Sequence, residues 1–294
     1  LNVGIIGVGI MGSNLAKCLH SRGVRVGVYN RTREKAERVA RELPGVRVYE
    51  SPSQLLRDTD AVVVFVSDDE ALLSIVGAVT SSQPGTTSTP PLLVNASTVT
   101  PMTSLRAMRA LGEVNVVYSE GPVYGSADEA RECRLVSYIA CSEGVYERVK
   151  SVVELYSTRV LYVGEPPRAS VLKLALNNIG LSAPALLAES LALLKSWGIE
   201  ETLLLEASEN LWFKPLIERT WHRVFSEKPP RFTVRLAAKD YSYIEKTLLE
   251  RGVKPLVSTA IRRFYEEASR GGFGEKDYPR AAYYFIEKLV AGVE

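Results

Sequence analysis

Asn2-Val3-Gly4-Ile5-Ile6-Gly7-Val8-Gly9-Ile10-Met11-Gly12-Ser13-Asn14-Leu15-Ala16 decides how the rest of the chain is read. A short apolar run leads into Gly7, Gly9 and Gly12 at Gly-x-Gly-x-x-Gly spacing, and an amphipathic segment, Met11–Arg22, follows. Three glycines at this spacing mean little alone. Between a strand and a helix they predict a dinucleotide site. Gly7 and Gly9 let the backbone turn and approach a pyrophosphate, and Gly12 lets the helix pack on the strand. The helix N-terminus offers free N–H groups to the anion. Gly7, Val8, Gly9, Ile10, Met11 and Gly12 are therefore expected to bind the cofactor.

Working outward, short runs rich in Val, Ile and Tyr read as strands at Val24–Tyr29, Ala61–Val66, Leu92–Asn95, Val114–Tyr118, Leu135–Cys141 and Arg159–Val163. Helical patterns such as Thr32–Glu42 lie between several of them. This alternation predicts an α/β fold with an N-terminal Rossmann-type, doubly wound parallel sheet. The stretch Thr80–Pro91 (TSSQPGTTSTPP) reads as a loop. After Gly164 no strand pattern appears, and helices are expected over Arg168–Trp197, Glu200–Asn210, Leu216–Val224, Val234–Arg251, Val257–Ser269 and Pro279–Ala291. The expected organisation is a cofactor-binding domain over 1–164 and an all-α substrate and dimerisation domain over 165–294. Within Arg168–Trp197, Gly180 and Pro184 predict either one helix bent there or two helices with a break at Leu181–Ala183.

Composition narrows the function. Of 294 residues, 46% are hydrophobic and 24% charged, which excludes a disordered chain. Lys and Arg number 36 against 34 Asp and Glu, with no basic run, so a nucleic-acid partner is not expected. Three widely spaced cysteines, Cys18, Cys133 and Cys141, argue against a disulfide framework or zinc cluster, and two histidines argue against a multi-histidine metal site. Metal binding is not expected. Leu1–Gly12 lacks the basic start of a signal peptide, and the low-charge stretch Ala169–Ala188 contains Lys173, Asn177, Asn178 and Pro184. A membrane span is thus a poor reading and the cytoplasm the expected location.

Four further segments carry chemistry. Asn30-Arg31-Thr32-Arg33 follows the second strand, where an NAD site would place a carboxylate on the ribose 2′-hydroxyl. Arginine there can hold a 2′-phosphate, so NADP is the expected cofactor and NAD less so, with Asn30, Arg31 and Thr32 in its site. Asn95–Pro101 follows a strand; Ser97 is expected to touch substrate, Thr98 to touch cofactor, and Thr100 to cap a helix beginning at Pro101. Val66 and Ser67 join the cofactor set, and Trp212 the substrate set. In Glu120–Ser126, the backbone of Val123, Tyr124 and Gly125 is expected to bind a substrate carboxylate. Lys173 is the one charge between Ala169 and Ala188, with Asn177 one turn on. An apolar setting would lower its pKa and make it a general acid/base, with Asn177 orienting it or the reacting oxygen.

Together these residues resemble the β-hydroxyacid dehydrogenase family, which includes 3-hydroxyisobutyrate dehydrogenase and the glyoxylate, succinic semialdehyde and tartronate semialdehyde reductases. The resemblance spans almost the whole chain: Gly7–Gly12 with Asn14-Leu15-Ala16, Asn30-Arg31-Thr32, Ser97-Thr98 with Pro101, Glu120–Ser126, Lys173 with Asn177, Lys239-Asp240, and Gly272–Asp277. It implies a hydride transfer between NADP and a small β-hydroxy acid or the matching semialdehyde. Lys173 and Asn177 would be catalytic, Lys239 would lie by the cofactor, and the enzyme would be a homo-oligomer through its α domain. The sequence departs from the family at Glu120, Gly121, Tyr124 and Ser126, and at Pro167-Arg168-Ala169 before the catalytic lysine. Those departures border the expected substrate pocket. They leave imine or ketone reduction, or a non-catalytic NADP-binding interaction module, as alternatives.

Overall fold

The computed structural model describes residues 1–82 and 89–290. Along the chain run β1 (Asn2–Ile6), α1 (Ile10–Ser21), β2 (Arg25–Tyr29), α2 (Arg33–Glu42), β3 (Arg47–Val48), α3 (Pro52–Asp58), β4 (Ala61–Val64) and α4 (Asp69–Ser81). Then follow β5 (Leu92–Asn95), α5 (Pro101–Glu113), β6 (Val117–Glu120), β7 (Val123–Tyr124), α6 (Ala127–Arg131), β8 (Leu135–Ile139), α7 (Tyr146–Val153) and β9 (Ser157–Tyr162). The remainder is helical: α8 (Arg168–Gly180), α9 (Ala183–Ser196), α10 (Leu203–Ala207), α11 (Lys214–Val224), α12 (Val234–Leu249), α13 (Val257–Ala268) and α14 (Arg280–Val290). Two compact units result, Leu1–Lys173 and the part from Leu174 onward. The division falls within α8, whereas the change from mixed to helical pattern lies at Gly164.

In the first unit six parallel strands run in the order β3-β2-β1-β4-β5-β6. The order reverses beside β1, between β1 and β4, so the crevice at the strand C-termini opens over Gly7. Successive side chains alternate between two buried layers, Val3, Ile5 and Val63 in one, Ile6, Val62 and Val64 in the other. A second sheet, β7-β8-β9, pairs β7 antiparallel and β9 parallel with β8.

Several expectations change. The short strands β3 and β7 were not legible, because two residues carry no readable alternation. The strand expected at Val114–Tyr118 begins three residues later. Val114 closes α5, Asn115 adopts φ 57°, and the Val116 N–H returns to Leu111 O at 3.0 Å. Helix α4 extends to Ser81, inside the expected 80–91 loop; residues 83–88 of that loop and residue 291 lie outside the described residues. Cys18 and Cys133 form a disulfide across 115 residues of sequence, with Cα atoms 5.4 Å apart, where their wide spacing argued for none. Linear spacing does not show that α1 packs beside α6.

The second unit, as expected, holds no strand among the described residues beyond a single bridge between Thr233 and Asp277. Its core gathers Leu174, Leu181, Val234, Ala237, Tyr241, Ile244, Ile261 and Tyr265, with α12 contributing at three- and four-residue spacing. The single bent helix expected as one version of Arg168–Trp197 is replaced by the other version, two helices. Pro184 has no N–H to give to Gly180. The Ser182 N–H goes to Ile179 O at 3.3 Å, a tightened turn, and Pro184 sits in the first turn of α9.

Candidate active site

The loop after β1 is built around its glycines. Gly7 has φ +88°, and a Cβ there would lie 1.9 Å from Phe65 O. A Cβ on Gly12 would lie 1.9 Å from Gly7 O, so the helix start and the loop touch backbone to backbone. Gly9 is different: a Cβ there would meet nothing within 4 Å. Gly9 also provides no side-chain cap for α1. The N–H groups of the first turn, from Ile10 to Gly12, thus lack intrahelical acceptors and face an open approach. These features fit a dinucleotide pyrophosphate.

Asn30 braces this loop. Its Oδ1 accepts the Val8 N–H at 3.1 Å, and its Nδ2 donates to Thr32 O at 2.9 Å. The two arginines that follow differ. Arg33 is engaged by Glu37 at 2.8 Å and by Glu50. Arg31 is exposed and makes no ion pair or hydrogen bond among the described residues. A cationic side chain at the end of β2 is therefore available to an anion.

At the ends of β4 and β5, Ser97 is buried and engaged internally. Its Oγ accepts the Val66 N–H at 2.9 Å and donates to Val64 O at 3.1 Å, and its N–H donates to Asn95 Oδ1. Ser97 is thereby a brace for Val66. Ser67 is exposed and donates to Asp68 Oδ2 at 2.6 Å. Thr98 is half-buried between Ser97 and the cap of α5. Thr100 caps α5 as expected, accepting the Thr103 N–H at 3.3 Å, and is itself held by Asp69.

Val123 and Tyr124, whose backbone is expected to bind a substrate carboxylate, pair with Ser137 and Val136 as strand β7. Gly125 follows with φ +137°, and a Cβ there would lie 2.7 Å from Leu135 Cδ2. Lys173, half-buried on α8, places Nζ 5.6 Å from the Tyr124 ring centroid. The structure thus brings together Lys173 and Tyr124 in the first unit.

In the second unit Asn177 is buried, and its Nδ2 donates to Asp240 Oδ2 at 2.6 Å. A carboxylate only accepts, so the amide must present its nitrogen to Asp240. Lys239 Nζ lies 2.9 Å from Asp240 Oδ1, off the line of a hydrogen bond, and 4.8 Å from the Tyr243 ring. The Asn177–Asp240 pairing was not readable from the sequence, where 63 residues separate the two. Trp212 is 90% exposed, edge-on to Phe213 at 5.5 Å.

Residues 2–164 match the family model described as the NAD binding domain of 6-phosphogluconate dehydrogenase. Glyoxylate/succinic semialdehyde reductase 1 of Arabidopsis thaliana is 27% identical over 290 residues, 95% of this chain and 96% of that protein. The chain belongs to the β-hydroxyacid dehydrogenase family. Among solved structures, 3-hydroxyisobutyrate dehydrogenase from Salmonella typhimurium superposes with a TM-score of 0.81 at 20% identity, covering 97% of this chain and 99% of that one. An imine reductase from Pseudomonas sp. gives 0.63 at 18% identity, over 97% and 99% of the two chains. At such identities these two likenesses show the shared fold. The chain is an NAD(P)-dependent oxidoreductase of this family.

For this dehydrogenase the glycines make separable predictions. Gly12→Ala forces a methyl against the Gly7 carbonyl and should cost about 1–3 kcal/mol of stability along with NAD(P)H binding. Gly9→Ala meets no protein atom within 4 Å and should leave the melting temperature unchanged while weakening NAD(P)H binding. Thermal melts and NAD(P)H fluorescence titration measure both. Wild-type NAD(P)H affinity in Gly9→Ala would remove the loop from the cofactor site.

Proposed function

We propose that the chain is an NADP(H)-dependent enzyme interconverting a small β-hydroxy acid and the corresponding semialdehyde. The observation that carries this reading is Lys173. It stands one turn before Asn177 on a single helix and beside Tyr124 of the segment that follows β6. The glycine loop and the α1 N-terminus would hold the pyrophosphate, and Arg31 would hold the 2′-phosphate. When bound, NADPH supplies the hydride that reduces the aldehyde carbon. In the reductive direction Lys173 gives a proton from Nζ to the carbonyl oxygen, which becomes the hydroxyl. In the oxidative direction it takes that proton back. Asp240 holds the Asn177 amide in one orientation, with Nδ2 donating to its carboxylate. Backbone N–H groups around Gly125 would receive the substrate carboxylate.

The test is turnover. Tartronate semialdehyde with NADPH, and small β-hydroxy acids such as 3-hydroxyisobutyrate with NADP, should be converted, with NAD(H) less effective; preferred turnover of glyoxylate or succinic semialdehyde, which give α- and γ-hydroxy acids, would move the substrate class to those aldehydes. Turnover of cyclic imines in preference to all of these would favour imine reduction on the same fold. No turnover of any, with tight NADPH binding, would favour an interaction module.

A homo-oligomer through the helical unit belongs to the same reading. Ile179, Leu186 and Leu193 recur at seven-residue intervals along α8 and α9 and are exposed, as is Trp197. An exposed apolar stripe of this kind suits a second copy of the chain. Light scattering should report an oligomer, and Leu186→Glu with Leu193→Glu should dissociate it. A wild-type monomer at micromolar concentration would refute this.

A further inference from the structure

Glu120, the last residue of β6, is fully buried at 0% exposure, and the chemistry above makes no use of it. Its backbone ties the two sheets together: its N–H donates to Ala140 O at 2.9 Å, and its carbonyl accepts the Ala140 N–H at 3.1 Å. Its side chain reaches the start of α8. Oε2 accepts the N–H of Ala169 at 2.9 Å and of Ser170 at 3.2 Å. Oε1 accepts from the hydroxyls of Ser170 and Ser104. Four donors serve two oxygens, and no lysine or arginine pairs with Glu120 among the described residues. The buried N-terminal dipole end of α8 and two hydroxyls take the place of a cation. Burial raises the carboxyl above its usual range, against the pull of Ser104, Ser170 and the two N–H groups. A buried charge without a counter-ion costs stability that an apolar side chain would not.

What this carboxylate joins is specific. Glu120 directly precedes Gly121-Pro122-Val123-Tyr124, while Ser170 lies one helical turn before Lys173. Lys173 and Tyr124 then meet again at 5.6 Å. The two segments are pinned at their roots by one side chain. We propose that Glu120 is a positioning residue, whose carboxylate locks the first turn of α8 to the root of the 121–125 segment and thereby sets Lys173 against that segment. The proposal rests on Lys173 being the proton donor. It also explains a coupling: the departures at Glu120 and at Pro167-Arg168-Ala169 are in contact, through the Ala169 N–H.

Two substitutions separate geometry from charge. Glu120→Ala removes all four bonds. Glu120→Gln can keep them, with Oε1 accepting from both N–H groups and Nε2 donating to both serine hydroxyls. The measurement is a double-mutant cycle with Lys173→Ala, using tartronate semialdehyde with NADPH. Misplacing a reacting group by about 1 Å costs roughly 100-fold, so Glu120→Ala should lower kcat about 10- to 100-fold. NADPH affinity should stay near wild type, and Glu120→Gln should recover most of kcat. In the Lys173→Ala background Glu120→Ala should cost nothing further, because the group it positions is gone. If Glu120→Ala does not fold, Ser170→Ala replaces it in the same cycle. An equal loss with and without Lys173 would overturn the proposal and leave Lys173 as the proton donor. Wild-type kcat in Lys173→Ala alone would overturn the assignment of Lys173, and this proposal with it.

Discussion

Lys173→Ala should lower kcat by about 10²–10⁴-fold, the usual contribution of a positioned general acid or base. That loss corresponds to roughly 3–5 kcal/mol of transition-state stabilisation. The fold should barely respond. Lys173 is half-buried on a helix, alanine is the best helix former, and the lost contact with the Tyr124 ring is worth about 0.5–1 kcal/mol at an exposed site. NADPH affinity should be little changed, since the glycine loop is formed by β1 and α1. Lys173→Arg makes the prediction sharper. Arginine keeps the charge but does not release its proton near neutral pH, so it should stay close to the alanine variant. Steady-state kinetics, thermal melts and NADPH titration on the three proteins read these effects separately. Near wild-type kcat in Lys173→Ala would end its assignment as the acid/base group, and full recovery in Lys173→Arg would reduce its role to charge.

Arg31→Asp should move cofactor preference from NADP towards NAD. Arg33 is the neighbouring arginine, but its guanidinium is occupied by Glu37 and Glu50, while Arg31 is left to an incoming anion. Each charged hydrogen bond lost is worth about 1.5–3 kcal/mol, so kcat/KM with NADP should fall roughly 10- to 100-fold. The new carboxylate would repel a 2′-phosphate and accept from a ribose hydroxyl, so kcat/KM with NAD should rise. Position 31 also precedes the N-terminus of α2, where a negative charge is tolerated, so the variant should fold normally. The ratio of kcat/KM for the two cofactors is the measurement. An unchanged ratio would mean that another group reads the phosphate or that NAD is the native cofactor. By contrast Arg33→Ala should affect the ratio little, because its charge is already balanced.

Local order in the chain was enough for the architecture. The position of Gly7, Gly9 and Gly12 between an apolar run and an amphipathic one specifies a strand, a tight turn and a helix, because φ +88° at Gly7 and a 1.9 Å approach at Gly12 admit no side chain. Alternating strands and helices then leave a parallel sheet as the way to bury both faces. The chain order of Lys173 and Asn177 likewise set them one turn apart whatever surrounds them. Tertiary structure alone decided which polar groups have partners. It closed Cys18 onto Cys133 across 115 residues, gave Arg33 to Glu50, turned Ser97 inward to Val66, and put Asp240 against Asn177. It also carried the Glu120 carboxylate 50 residues forward to Ser170. A hydrogen bond or ion pair depends on distances of about 3 Å and on direction. Such contacts follow from packing across the chain, and no periodicity or spacing along it contains them.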